Sequence, residues 1–87
     1  MVEQTLTIEN TAGLHMRPAG EFAKIATKCA SDVKIVHKEK VLNAKSVLNI
    51  MAAGIKCGDA ITIQCTGGSE NEDLQTLVEA VKSGLGE

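Results

Sequence analysis

The stretch Ala60-Ile61-Thr62-Ile63-Gln64-Cys65-Thr66-Gly67-Gly68-Ser69 sends Ile61, Ile63 and Cys65 to one side and Thr62, Gln64 and Thr66 to the other before a glycine pair ends the run. Strict alternation of this kind belongs to a strand with one face buried and the other in water. Parallel sheets are usually covered on both faces and read as continuous apolar runs, so such a strand predicts a mostly antiparallel sheet with one wet face. The apolar side must then be covered by helices.

Downstream, Ser69 followed by Glu72 reads as a capping box, and Leu74, Leu77, Val78 and Val81 form a helical stripe that Gly84 stops after Lys82. The last helix is expected from about 70 to 83. Upstream, Ser46 to Ala53 carries Val47, Leu48, Ile50 and Met51 at spacings no strand of that polarity uses, and Gly54 stands where a left-handed cap ends a short helix. Asp32 to His37 alternates like a strand, Lys38-Glu39 makes a tight connection, and Lys40-Val41-Leu42 is a short partner. At the amino end Val2, Leu6 and Ile8 oppose Glu3, Thr5 and Thr7, another half-wet strand, which Asn10-Thr11-Ala12-Gly13 breaks. Met16, Ala19, Phe22, Ala23 and Ala26 then fall at helical spacing. A helix beginning at His15 follows, with Pro18 in the first turn, where a missing N–H costs nothing. Gly20 inside it costs about 1 kcal/mol against Ala. The order strand, helix, strand, strand, short helix, strand, helix predicts an α+β open-faced sandwich. Its four-stranded, mostly antiparallel sheet is covered on one face by three helices.

At 87 residues the chain has room for one domain, residues 1–87, and its core must be economical. With a single Phe and no Trp or Tyr that core is aliphatic, and stacking on nucleic-acid bases is excluded as a mechanism. A formal net charge of −2 gives no global attraction to nucleic acid or anionic lipid, so any anion site is local. No stretch approaches the roughly 18 apolar residues of a membrane span, and the amino end lacks a basic start followed by an apolar block. A cytoplasmic location is expected. Cys29, Cys57 and Cys65 show no short metal-ligand or redox spacing and are expected as buried or half-buried reduced thiols. Neither metal nor cofactor is implied.

The chemistry is concentrated in Gly13-Leu14-His15-Met16-Arg17-Pro18-Ala19, a histidine at a helix start with an arginine two residues on. Helix starts present N–H groups without intrahelical partners and about half a positive charge, so an anion gains hydrogen bonds there. An adjacent guanidinium adds charge-assisted contacts to phosphate oxygens. A neutral imidazole nitrogen can act as a nucleophile toward phosphorus. Phosphoryl transfer then needs mainly positioning and charge stabilisation. These residues alone leave two readings open, a capping histidine or a phosphoryl acceptor. His37 has none of these neighbours and reads as a strand or surface histidine.

The same heptad resembles the phosphorylation-site motif of the HPr family, histidine-containing phosphocarriers of the bacterial sugar phosphotransferase system. Asn43-Ala44-Lys45-Ser46-Val47-Leu48-Asn49-Ile50-Met51-Ala52-Ala53-Gly54-Ile55 is similar to the family's regulatory serine segment in its low-GC Gram-positive form. The resemblance runs to Ser83-Gly84-Leu85-Gly86-Glu87. It implies that His15 takes phosphate on Nδ1 from enzyme I and gives it to sugar-specific enzyme IIA components. Arg17 would neutralise the phosphate, and the backbone amides of Met16 and Arg17 would be further donors. It also implies that Ser46 is modified by HPr kinase/phosphorylase, after which a catabolite-control transcription regulator can bind. Phosphate at a helix start adds about −2 charge where the dipole favours it.

Met16, Gly20, Val47, Leu48 and Met51, rimmed by Arg17, Lys24 and Lys45, could form one apolar docking patch, with core packing the alternative for Val47 and Leu48. Relatives usually carry a small residue at Met16, alanine at Gly20, and often a polar residue at Ala12 and glycine at Asn49. These departures bear on partner preference rather than on the chemistry. The implied protein is a monomeric carrier that does not turn over a small substrate by itself. The alternative is a regulatory paralogue acting mainly through phosphorylated Ser46, a type that lacks the histidine.

Overall fold

The computed structural model describes residues 1–86, so Glu87 of the carboxyl-terminal resemblance lies outside the described residues. The elements are β1 (Val2–Thr7), α1 (Met16–Lys28), β2 (Asp32–His37), β3 (Lys40–Asn43), α2 (Val47–Ala52), β4 (Ala60–Thr66) and α3 (Glu70–Lys82). They form one four-stranded sheet in the order β1-β4-β2-β3, and every neighbouring pair is antiparallel.

Register follows the alternation. Val2 lies opposite Cys65, Leu6 opposite Ile61, and Ile35 opposite Ile63, so the apolar residues of three strands share the covered face. On the wet face Thr5 and Thr62 share a hydrogen bond of 2.8 Å, and the Gln64 amide donates to Glu3 at 2.9 Å. All three helices lie on the other side. α3 packs on β1 and β4, α2 beside β3, and α1 against both other helices. Phe22, Ile8, Ile35, Ile50, Ile61, Ile63 and Leu77 are the largest fully buried apolar side chains, and each stabilises the fold by about 1.5–3 kcal/mol.

Three local expectations are revised. Ser69 and Glu72 do not form a capping box: the Ser69 hydroxyl donates to Asp73 at 2.8 Å, while Glu70 accepts from the Gly67 N–H at 3.2 Å. The Ser69 side chain accepts no capping bond from the helix. His15 is the N-cap of α1 rather than its first helical residue. Cys29 and Cys65 are buried and unpaired as expected, but Cys57 is exposed on the loop before β4. Burial pushes the Cys65 thiol up to about 11, which keeps it protonated and unreactive at neutral pH.

Candidate functional site

The approach to α1 is fixed by backbone contacts. The Gly13 N–H closes a turn onto the Asn10 carbonyl at 2.9 Å, and the Leu14 N–H donates to the Ile55 carbonyl at 3.0 Å. Gly13 holds φ at 72°, and a Cβ there would collide with the Ile55 carbonyl oxygen and come within 2.8 Å of Lys56 Cα. Only glycine lets the chain pass this loop. Leu14 is buried immediately after it, so the next residue, His15, is thrown outward.

His15 is exposed in an extended conformation, and its ring makes no capping bond to the helix. Its carbonyl accepts the first helical hydrogen bond, from the Ala19 N–H at 3.0 Å. Pro18 has no N–H and is buried, which leaves the amides of Met16 and Arg17 at the helix start without intrahelical acceptors. No acidic residue occupies the first turn of α1, whereas α3 carries Glu70, Glu72 and Asp73 in its own first turn. α3 thus neutralises its own positive end, and α1 leaves that field for an anion from outside. Arg17 is exposed beside it.

Ser46 is the N-cap of α2. Its half-buried hydroxyl accepts from the Asn49 N–H and from the Asn49 side-chain amide, each at 3.2 Å. Gly54 ends that helix at φ 65°.

The apolar candidates divide. Met16 is 70% exposed, Leu48 79% and Met51 36%, whereas Val47 is half-buried against the core and Gly20 half-buried on α1. The choice left open for Val47 and Leu48 therefore splits between them. Lys24 is exposed, but the Lys45 ammonium donates to the Cys29 carbonyl at 3.2 Å. It serves the carboxyl end of α1 rather than standing free on a rim.

Two features went unseen in the sequence. The Ile55–Asp59 loop braces the approach to His15 through its backbone, which no side-chain pattern reveals. His37 is a strand histidine, but it is only 3% exposed and bonds Asp59 through Nε2 at 2.9 Å. A signal was present, since His37 continues the inward positions Val33 and Ile35. Among the described residues no group of three or more His, Cys, Asp or Glu could hold a metal ion, and no helix is long and apolar enough to cross a membrane.

An open antiparallel sheet with three helices on one face, the first of them starting at an exposed imidazole, puts the chain in the open-faced sandwich class of α+β domains. The family profile described as "PTS HPr component phosphorylation site" matches residues 2–83. The phosphocarrier protein HPr of Mycoplasma capricolum is 38% identical over 81 residues, which span 93% of this chain and 91% of that one. HPr-C-His from Thermoanaerobacter tengcongensis superposes with a TM-score of 0.95 at 37% identity, covering 100% of this chain and 98% of its own. An HPr dimer from the same organism superposes at 0.79, also at 37% identity and covering 100% of both chains. The chain belongs to the HPr family, the phosphocarriers of the phosphotransferase system.

Proposed function

We propose that the whole chain acts as one cytoplasmic phosphocarrier domain, in which Nδ1 of His15 accepts a phosphoryl group from enzyme I and passes it to sugar-specific enzyme IIA components. The observation that carries this is the start of α1, where an exposed imidazole stands at a helix end that has no acid of its own. The nitrogen lone pair forms the N–P bond as the donor's bond to phosphorus breaks, and the imidazole leaves as the next acceptor takes the group. Charge builds on the phosphoryl oxygens during each step, and the Met16 and Arg17 amides with the Arg17 guanidinium stabilise it. Turnover of a small substrate has no part in this.

The exposed side chains of Met16, Leu48 and Met51, with Lys24, Gly20 and Val47 around them, are the docking surface in this reading. Ser46 is the regulatory site for HPr kinase/phosphorylase, and its phosphate would recruit a catabolite-control transcription regulator. The Ser46 hydroxyl accepts two bonds from Asn49, so modification would exchange two neutral contacts for charged ones at a helix start. The carrier works as a monomer in this scheme, although a related HPr has been seen as a dimer.

Incubation with phosphoenolpyruvate and enzyme I should give a phosphoryl adduct that is labile in acid and stable in base, located on His15. His15→Ala should not be labelled, and Arg17→Ala should be labelled at least about tenfold more slowly. Equal labelling of His15→Ala and the parent would remove the assignment.

A further inference from the structure

The buried His37 and its half-buried partner Asp59 have no place in the transfer chemistry, yet Asp59 belongs to the loop that braces the approach to His15. Asp59 Oδ2 accepts from His37 Nε2 at 2.9 Å and also from the Lys56 N–H at 3.0 Å. The Asp59 N–H returns a bond to the Lys56 carbonyl at 3.0 Å. Lys56 follows Ile55, whose carbonyl receives the Leu14 N–H, and Leu14 precedes His15. Gly13 packs against the same Ile55–Lys56 backbone so closely that it admits no side chain.

We propose that His37 is a positioning residue for phosphoryl transfer, which fixes the Asp59 carboxylate so that the Ile55–Lys56 backbone holds Leu14, and through it the His15 imidazole, in place. The inference rests on His15 being the acceptor. An ionised carboxylate can only accept, so Nε2 carries the ring proton and donates it. The Lys56 N–H and His37 together keep Asp59 below the usual carboxylate range, in agreement with two donors meeting one oxygen. His37, the last residue of β2, ties the loop to one of the two inner strands of the sheet. The loop is also tethered to the end of β1 by Ile8, which donates to the Asp59 carbonyl at 2.8 Å and accepts from the Gly58 N–H at 2.7 Å. Those bonds hold the loop's ends, whereas the Asp59 carboxylate sets the peptide that faces Leu14.

The test compares the parent with His37→Phe, His37→Gln, Asp59→Ala, His15→Ala and Val78→Ala, a core change on α3. Phosphorylation by enzyme I is measured as separate kcat and KM for each carrier, alongside amide exchange at Leu14. His37→Phe and Asp59→Ala should lower kcat by about tenfold with little change in KM and speed Leu14 exchange. His37→Gln, whose amide N–H reaches about as far as Nε2, should restore most of the rate. The double variant His37→Phe/Asp59→Ala should be no slower than Asp59→Ala alone. A parent labelled on His15 whose kcat is indifferent to His37→Phe and Asp59→Ala overturns this inference alone. So does Val78→Ala slowing transfer equally at matched melting temperature, because the effect would then be general destabilisation. Labelling of His15→Ala overturns the acceptor reading and this one with it.

Discussion

Asp59 shows how one side chain can be read through pH. Its carboxylate is drawn below the ordinary value first by the Lys56 N–H and then by His37, with the charge of Lys38 adding to the effect. A carboxylate with a lowered folded pKa stabilises fully above its unfolded value and loses that contribution as pH falls through the folded one. Asp59→Asn should therefore melt below the parent at pH 7, and the gap should close as pH falls below about 4. Thermal unfolding at several pH values checks this, and a gap that widens in acid would contradict it. Much at this scale was legible in the sequence. The place of His15 and Arg17 at the start of α1 was legible because Pro18 and the helical spacing behind it mark that start. Asp59 did not stand out, since its partners are a backbone amide and a histidine 22 residues away. Nothing in local composition encodes either contact.

Among the elements, α1 has the most to lose and to gain. A Cβ added at Gly20 meets nothing within 4 Å, so the glycine has no packing reason to be there. Gly20→Ala should stabilise the helix by about 0.5–1 kcal/mol and raise the melting temperature by a few degrees, roughly 4–8 °C per kcal/mol. A fall in melting temperature would mean that the added methyl group strains the helix. Element boundaries were read to within one or two residues because two signals coincide, alternation inside strands and Gly or Ser at the ends. β4 was found whole, and Ser46 and Gly54 bracket α2 as expected. The capping box at Ser69 did not form: a pattern of four residues ignores the fifth, Asp73, toward which the hydroxyl points as a donor.

At the level of the whole molecule the sheet order places the first strand beside the fourth, with the second and third to one side. The alternating faces gave the layer architecture, whereas strand order depends on which long-range pairings bury the most apolar surface together. Those pairings also govern folding speed. Because β1 and β2 both pair with β4, refolding should be a single cooperative phase on the order of milliseconds to seconds rather than microseconds. Stopped-flow refolding from urea checks this, and a dominant microsecond phase would oppose it. The pairing of Val2 with Cys65 also bears on synthesis at the ribosome. The strand translated first must wait for nearly the entire chain before it has a neighbour. The loop that seats Leu14 is itself translated after α2, so a nascent chain already carrying His15 cannot fix the approach to α1 until the tunnel has released residues up to about β4.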